Sequence, residues 1–332
     1  MIENALTLPW DIGILTMLTV SGMIAWSAQT WLKKSKRKPL WMKAGVLSAG
    51  SVALAVMLVI GYGSFIEPQI ITVTPFSIPL GTTEPLRIAI ISDLHVGPYK
   101  GFNFIRRVTE HINALHPDVV LIVGDLVLTE EIRAESLAAL EPLKNLHPVI
   151  GTYAIMGNHD HSIYRTSVRD RIVPDRSDAV AERLMSFGIA ALRNSSVTLR
   201  SGESVFAIAG IEDAFSGEAD ILETFANIPP NVPTILMSHN PDVILDPASL
   251  RARIIVTGHT HGGQIRLPWI GPVATLPTHL GKKFDQGIFS LGSGAILAIT
   301  RGVGESGPRA RLLAPPEIML ITTIPDETSP SI

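Results

Sequence analysis

Two long uncharged stretches lie near the start of the chain. No charged residue occurs in the 21 positions from Ile12 to Leu32 or in the 23 positions from Ala44 to Ile66. A helix needs about 20 apolar residues to cross the hydrocarbon core of a bilayer, so each stretch is long enough to span it. The pattern predicts that residues 1–66 form a membrane anchor with two transmembrane helices, at about 12–32 and 44–66.

Two other interpretations of these stretches remain open. One is a buried helical hairpin of a soluble protein. The other is a cleaved signal peptide, which is disfavoured because Glu3 and Asp11, rather than basic residues, precede the first stretch.

Six cations separate the two stretches: Lys33, Lys34, Lys36, Arg37, Lys38 and Lys43. Short loops rich in Lys and Arg stay on the cytoplasmic side of a membrane. We therefore expect a multi-pass protein of the cell membrane, with everything after Ile66 on the extracytoplasmic side. The alternative is that these cations contact lipid phosphates and do not determine topology.

Short apolar runs alternate with helical spacing after a proline-rich segment, residues 67–85, which we interpret as a linker leading into an edge strand. Continuous apolar runs predict strands at 87–92, 119–123 and 153–156. Helical spacing predicts helices at Phe102–Leu115, Ile132–Leu143 and Ser177–Phe187. This β-α-β-α-β order predicts a layered α/β fold with parallel strands.

The second half of the chain is richer in strands than in helices. The predicted strands cover 196–199, 204–211, 234–237, 254–256, 287–291 and 295–300. Residues 326–332 have the composition of a frayed tail.

Composition removes several classes of function. Hydrophobic residues make up 46% of the chain and charged residues 17%, which is apolar for a soluble enzyme. The formal net charge of −3 gives no broad basic field, so we predict no specific nucleic-acid partner. The chain has no cysteine, which excludes disulfides, zinc–thiolate sites and cysteine nucleophiles.

Five short polar motifs follow predicted strands, where loops of α/β sheets commonly form sites. They are Asp93-Leu94-His95, Gly124-Asp125, Gly157-Asn158-His159-Asp160, His239-Asn240 and Gly258-His259-Thr260-His261. Each motif alone could be a helix cap or a turn. Their repeated placement at strand ends instead predicts one shared site.

The ordered set D-x-H, G-D, G-N-H-D, H and G-H-x-H resembles the calcineurin-like metallophosphoesterase superfamily. Gly262–Pro268 and Thr300–Gly304 further resemble its membrane-associated bacterial phosphodiesterase branch. The resemblance implies an α/β fold, a four-layer α/β/β/α sandwich, here preceded by the transmembrane hairpin. We expect the catalytic domain to cover residues 86–325.

The resemblance also implies two divalent metal ions. Asp93, His95, Asp125 and His261 would bind one ion; Asp125, Asn158, His239 and His259 would bind the other, with Asp125 bridging. Oxygen and imidazole donors without thiolate suit Mn, Fe, Zn or Co. Two such ions bridged by a carboxylate could activate a hydroxide for attack at phosphorus.

His159 and Asp160 are the predicted catalytic residues of this site. The resemblance implies that His159 protonates or stabilises the leaving-group oxygen, and Asp160 could orient its ring; a helix cap or turn is the alternative for Asp160. His161 is interpreted as a rim or bystander residue. Arg301 could meet a substrate phosphate or form a surface salt bridge.

These features predict a metal-dependent phosphoesterase, with phosphodiester hydrolysis near the membrane as the first choice. The expected partners are membrane lipids and a phosphate ester that is lipid-linked or membrane-linked. One alternative is hydrolysis of a lipid- or nucleotide-linked diphosphate such as UDP-2,3-diacylglucosamine, known for some relatives, although that step needs a cytoplasmic active site. Another is a non-catalytic membrane scaffold, against which the complete ligand set argues.

Overall fold

The computed structural model of the chain describes residues 3–128, 137–163 and 174–324. The helices are α1 Glu3–Lys34, α2 Leu40–Gly61, α3 Phe102–Ala114, α4 Ser177–Met185 and α5 Ile221–Phe225. The strands are β1 Thr72–Pro79, β2 Arg87–Ile91, β3 Val119–Val123, β4 Gly151–Ile155, β5 Ala190–Ala191, β6 Ser195–Ser201, β7 Ser204–Gly210, β8 Thr234–Met237, β9 Ile254–Thr257, β10 Arg266–Leu267, β11 Gly271–Pro272, β12 Gly287–Ser290, β13 Ile296–Ile299 and β14 Glu317–Ile324.

Two sequence predictions fall on residues outside these ranges. The predicted tail 326–332 lies wholly outside them, and so does the first part of the predicted helix Ile132–Leu143. Its described part leads into a 3₁₀ turn, Glu141–Asn145.

The first two helices pack against each other as a hairpin. Gly50 of α2 lies so close to Ala28 of α1 that an added Cβ would be 2.6 Å from the alanine Cβ. Small residues at such a contact let two helix backbones approach closely. Large side chains such as Trp26 and Leu58 remain exposed, and both helices are long and apolar enough to cross a bilayer. The predicted hairpin is confirmed, and its composition indicates membrane association.

The remaining strands form two six-stranded sheets and one short two-stranded ribbon. The first sheet has the order β1-β14-β2-β3-β4-β5, and the second has the order β12-β13-β9-β8-β7-β6. The ribbon pairs β10 with β11.

The two sheets pack face to face between outer layers of helices. In β2, Ile88 and Ile90 join a core shared with the second sheet, whereas Ala89 and Ile91 join the core under α3 and α4. Alternate residues of a strand point to opposite faces, so a strand buried on both faces has a continuous apolar sequence. A third core lies between the second sheet and α5. The predicted four-layer sandwich is confirmed.

One edge of the sandwich collects the polar motifs. Strands β2, β3 and β4 are parallel, as are β7, β8 and β9. The loops that follow β2 and β3 are held together by backbone hydrogen bonds, from Asp93 N–H to Gly124 C=O and from His95 N–H to Asp125 C=O, both 3.0 Å. The loops after β8 and β9 meet in the same way, through a bond from Gly258 N–H to His239 C=O.

Strand β14 is absent from the sequence predictions, although its residues are apolar. It pairs antiparallel with β2 and parallel with β1, which is the edge strand expected within residues 67–85. Strand β1 therefore begins at the edge of the sheet where β2 ends. The chain enters the catalytic sheet from α2 at this edge.

Arg311 is a fully buried cation that supports the segment beside Asp93. Its guanidinium donates hydrogen bonds to the carbonyl oxygens of Ala314 at 2.7 Å and Arg301 at 3.0 Å, and also to Gly304. Gly304 in turn donates its N–H to the Asp93 carbonyl oxygen at 2.6 Å. Removal of the guanidinium would leave buried carbonyl groups without donors, which costs free energy.

We predict that Arg311→Met lowers the free energy of unfolding by about 3 kcal/mol, because a buried charged donor to several carbonyl groups is lost. Denaturant unfolding of the detergent-solubilised chain would measure the change. The exposed Arg200 on β6 provides the control, since Arg200→Met should alter stability by less than about 0.5 kcal/mol. Equal stability of R311M and R200M would contradict the prediction.

Candidate metal centre

The structure brings the predicted ligands together at the edge where the strands end. Three groups of buried side chains each place their ligand atoms within 4.8 Å of one another. The groups are Asp93, His95 and His261; His95, Asp125 and His159; and Asp125, His239 and His259. His95 and Asp125 each belong to two groups, so the three groups form one continuous cluster.

The His239 ring shows what this cluster requires. Its Nδ1 lies 2.8 Å from the Val123 carbonyl oxygen, which can only accept, so Nδ1 carries a proton. In a neutral ring Nε2 then presents a lone pair, and it lies 3.1 Å from an Asp125 carboxylate oxygen and 3.1 Å from His259 Nδ1. The Nε2 atom of His239 therefore meets an oxygen and a nitrogen from two other predicted ligands at one point. A metal-bound histidine commonly donates the N–H of its other ring nitrogen to a backbone carbonyl or a carboxylate, as His239 Nδ1 does here to Val123.

Asn158 contributes an amide oxygen next to this cluster. Its Nδ2 donates to the Ile163 carbonyl oxygen at 2.5 Å, which fixes the orientation of the amide. Its Oδ1 is buried and has no hydrogen-bond partner among the described residues. A buried amide oxygen without a donor fits a metal ligand.

The protonation states also fit metal binding, which needs ionised carboxylates and neutral imidazoles. Burial alone would raise the pKa of Asp125, but the charge of His239 outweighs it and the pKa falls well below its usual range. Burial lowers the pKa values of His95 and His259 well below normal, and burial with the nearby Arg311 lowers that of His261 to about 3. Two ligands differ: Asp125 overcomes burial and raises the pKa of His239, and burial raises the pKa of Asp93 to about 6. A metal ion bound at these atoms would take the place of the protons. The residues present therefore fit divalent metal ions.

Backbone strain is concentrated at the same residues. Asp93, His95, Asp125, His259 and His261 all have positive φ angles, between 45° and 69°. Residues other than glycine seldom adopt this left-handed region, and such residues cluster at functional sites. Gly124 has φ of 78°, and a Cβ there would be 2.7 Å from His239 Nδ1. The glycine of the G-D motif is thus required by both its conformation and the close approach of a ligand.

Comparison with known proteins agrees with this geometry. Residues 86–263 match the family model of the calcineurin-like phosphoesterases, and this range contains all seven predicted ligands. The chain belongs to this family. It is therefore a member of a group of hydrolases that act on phosphate esters, and the prediction of a phosphoesterase is confirmed.

Several relatives in the family match most of this chain. The uncharacterized metallophosphoesterase YkuE of Bacillus subtilis is 31% identical over 296 residues, which cover 87% of this chain and 98% of YkuE. UDP-2,3-diacylglucosamine pyrophosphatase LpxG of Chlamydia trachomatis is 27% identical over 326 residues, which cover 85% of this chain and 98% of LpxG. A transmembrane protein with metallophosphoesterase domain from Danio rerio is 31% identical over 245 residues, which cover 70% of this chain and 52% of that protein.

His159 lies inside the site, as the family resemblance implies. Its ring meets the His95 ring edge-on at a centroid distance of 4.7 Å, and its backbone N–H donates to Asp125 Oδ1 at 2.9 Å. It also lines the pocket beside the ligand cluster. Burial lowers the pKa of His159, which favours the neutral ring.

Asp160 has different partners from those we expected. Its carboxylate accepts hydrogen bonds from the backbone N–H groups of Leu126, Val127 and Gly157, at 3.0 to 3.2 Å. These bonds join the loop after β3 to the loop after β4. Asp160 therefore positions the two ligand loops, and we withdraw the prediction that it orients the His159 ring.

His161 is fully buried, so the prediction of a rim position is wrong. Its Nδ1 lies 2.9 Å from Asp175 Oδ2, and its Nε2 lies 3.2 Å from Glu212 Oε2. Glu212 also pairs with Arg193, whose guanidinium reaches Asp178. A single histidine thus ties the loop after β4 to the loop after β7, one from each sheet.

Sequence reasoning missed the residues that follow β7. Glu212 holds His161, Asp213 is buried beside His239, and the Phe215 ring meets the His259 ring at 5.4 Å. Burial raises the pKa of Asp213 to about 6, partly opposed by His239. The available signal was an acidic pair directly after a buried strand, the same placement that identified Asp93 and Asp125.

Arg301 forms an internal ion pair. Its guanidinium lies 3.1 Å from Glu317 Oε1 and near the hydroxyl groups of Thr72 and Thr74. This ion pair joins the start of β14, at Glu317, to the start of β1. The guanidinium of Arg301 therefore has a structural role. The sequence left two roles open for Arg301, contact with a substrate phosphate or a surface salt bridge. The structure shows a salt bridge, but it is largely buried rather than on the surface.

We predict that His161 makes stability depend on pH. Burial lowers its pKa, but hydrogen bonds to Glu212 and Asp175 outweigh this and raise the pKa from 6.5 to about 9. A raised folded-state pKa stabilises the protein fully below pH 6.5, and this stabilisation is lost as the pH rises through about 9. His161→Gln should therefore be less stable than wild type at pH 6, with the gap closing by pH 10.

Denaturant unfolding at several pH values between 6 and 10 would measure this gap. The exposed His147 gives a matched control, and we expect His147→Gln to follow the wild type throughout. A stability gap for H161Q that stays constant with pH would contradict the protonated-histidine bridge.

Proposed function

We propose that the chain is a membrane-anchored phosphoesterase that uses two divalent metal ions. Asp93, His95, Asp125 and His261 would hold one ion, and Asp125, Asn158, His239 and His259 would hold the other. The membership of Asp125 in two of the three ligand groups supports a bridging role. Two ions held in this way supply a hydroxide at neutral pH and neutralise charge on phosphoryl oxygens.

The single observation that carries this proposal is the His239 arrangement. Nδ1 is held by the Val123 carbonyl oxygen, so Nε2 points at Asp125 and His259, which is how the ring of a metal-bound histidine is oriented. The other ligands surround the same point with buried oxygen and nitrogen atoms.

His159 would act on the leaving group. It lines the pocket and touches the ligand cluster, yet its lowered pKa favours a neutral ring. A neutral imidazole can donate one hydrogen bond, so we propose that His159 stabilises the departing oxygen in this way.

The pocket suggests an ester with an apolar group. Its volume is about 360 Å³. Ligand residues form part of its wall, and apolar side chains form much of the rest: Phe215, Ile265, Val273, Leu276, Pro277 and Pro308. Such a lining fits a lipid-linked phosphate ester better than a fully polar substrate.

Hydrolysis of a nucleotide-linked diphosphate is the second candidate. It is favoured by the similarity to LpxG, which extends over 98% of that relative. Our predicted orientation opposes it, since the cations between α1 and α2 favour a catalytic domain outside the cytoplasm.

We propose the following organisation: an anchor over residues 1–66, a linker over 67–85 and a catalytic domain over 86–325. The six cations lie around the turn between α1 and α2, at the opposite end of the hairpin from the catalytic domain. This separation supports a cytoplasmic turn and an extracytoplasmic site.

We predict that Asp125→Ala and His259→Ala abolish metal-dependent hydrolysis of bis-p-nitrophenyl phosphate, because each removes a ligand from the cluster. His159→Ala should keep its metal content and slow turnover by about 10²-fold, as expected for loss of a leaving-group donor. Metal analysis and turnover with and without Mn would test all three variants. Full activity of D125A would exclude the proposed mechanism.

We predict that an alkaline phosphatase domain fused after residue 324 is active in cells, because it folds only outside the cytoplasm. A cytoplasm-only reporter at the same position should be inactive. The reverse pattern would overturn the orientation and favour the nucleotide-linked diphosphate as substrate.

A further inference from the structure

A short hairpin directly after the last predicted ligand has an exposed apolar tip. It consists of residues 264–273, with β10 and β11 as its arms, and we call it the docking hairpin. At its tip Trp269 is fully exposed, Ile270 is 67% exposed and Leu267 is 42% exposed. Trp269 also has φ of 63°, which is unfavourable for a bulky residue. This strain presents an indole ring that makes no burying contact with the described part of the chain.

The anchor enters the catalytic domain at the edge of the sheet that carries the ligands. Strand β14 runs antiparallel to β2, and β1 runs parallel to β14, so β1 starts where β2 ends. The segment from α2 to β1 is fixed there, because the buried Lys100 donates to the Pro68 carbonyl oxygen and the Glu67 carboxylate accepts from Ala314 N–H. The catalytic edge therefore faces the side from which the anchor comes.

One extended segment separates the docking hairpin from the end of α2. Arg311 N–H donates to the Gly63 carbonyl oxygen at 2.8 Å, beside the last turn of the anchor. The next residue, Leu312, accepts from Arg266 N–H and donates to the Gln264 carbonyl oxygen, both at 2.9 Å. The hairpin thus lies next to the anchor with its tip unpaired.

The groove beside the tip has the side chains that a membrane interface favours. Leu313, which is 51% exposed, lines this groove together with Trp269 and Ile270. Lys282 and Lys283 also line it, and Lys282 Nζ donates to the Pro272 carbonyl oxygen at 3.0 Å. Tryptophan rings and cations favour the headgroup level of a bilayer, where cations attract anionic lipids.

The base of the hairpin connects this apolar tip to the ligand cluster. Ile265, just before β10, and Val273, just after β11, line the pocket. Arg266 holds the ribbon to the loop after His261, through the Gly262 carbonyl oxygen at 2.8 Å and through Asp285. The docking hairpin therefore contributes residues both to the exposed tip and to the pocket wall.

We propose that the docking hairpin inserts its tip into the headgroup–acyl boundary of the bilayer that holds the anchor. Its inserted residues are Leu267, Trp269 and Ile270, with Lys282 and Lys283 at the phosphate level. The partner of this surface is a lipid bilayer, and the hairpin guides a lipid-borne phosphate ester into the pocket. The inference rests on the proposed membrane anchoring and deepens the proposed function.

Fluorescence quenching of a single label tests the insertion. The chain has no cysteine, so Ile270→Cys carries one environment-sensitive fluorophore in the full protein, reconstituted in nanodiscs of phosphatidylcholine and phosphatidylglycerol. Val149→Cys is the matched control, since Val149 is 81% exposed at the start of β4, the opposite edge from the site. We expect nitroxide-labelled lipids to quench the label at 270 at least threefold more than the label at 149, with aqueous iodide showing the reverse.

Two outcomes would overturn the proposal. Equal quenching by lipid at both positions would show that the tip stays in water. Protection of position 270 from iodide without quenching by lipid would show that a second copy of the chain, or another protein, covers the tip instead.

Activity provides a second readout that separates this inference from the proposed function. The double variant Trp269→Ser with Ile270→Ser should hydrolyse soluble bis-p-nitrophenyl phosphate at the wild-type rate. We expect it to hydrolyse the p-nitrophenyl ester of phosphatidic acid in nanodiscs about tenfold more slowly. Asp125→Ala should lose both activities. Equal rates of the double variant and wild type on the lipid ester would contradict the guiding role, whereas a wild type inactive on both esters would contradict the proposed function and leave the quenching result to decide insertion.

Discussion

The carboxylate of Asp125 lies where the loops of the two sheets meet, and the geometry of the site depends on its contacts. One oxygen accepts the His159 backbone N–H at 2.9 Å, which holds the loop after β4. The other lies 3.1 Å from His239 Nε2 and 3.5 Å from His95 Nε2, so it contacts ligands from both sheets. A buried carboxylate is costly unless cations or donors compensate it. The fold supplies these from three separate loops, and a metal pair would complete the compensation.

Holding so many ligands around one point requires unfavourable backbone conformations. Five of the predicted ligands have positive φ angles, and each such residue costs of order 1 kcal/mol or more. The continuous apolar strands on either side provide the rigidity that keeps these turns in place, since β2, β3, β8 and β9 are buried on both faces. The stable packing of the sandwich layers therefore compensates for the backbone strain of the ligand loops at their edge.

The same edge also faces the anchor, and this connects the chemistry with the membrane. The direction of β14 relative to β2 brings α2, the docking hairpin and the ligand cluster to one side of the catalytic domain. In the proposed arrangement, a site in this position would face the surface of the bilayer. The apolar wall of the pocket agrees with such a position.

The sequence by itself determined the features that depend on local pattern. Uncharged stretches specified the two long helices, apolar runs specified strands such as Val119–Val123, and motifs after those runs specified Asp93, Asp125 and the histidines of the cluster. These succeed because a strand buried on both faces needs apolar residues throughout, and because parallel strands end at one edge.

Only the tertiary structure decided which partner each remaining side chain has. Asp160 adjoins His159 in sequence but bonds to backbone amides 34 and 33 positions earlier, and His161 bridges to Glu212, 51 positions later. The pairing of β14 with β1 and β2, and the pairing of the docking hairpin with the segment that bonds to Gly63, likewise arise from contacts between distant segments. A hydrogen bond or ion pair depends on which elements pack together, and a local pattern does not contain that information.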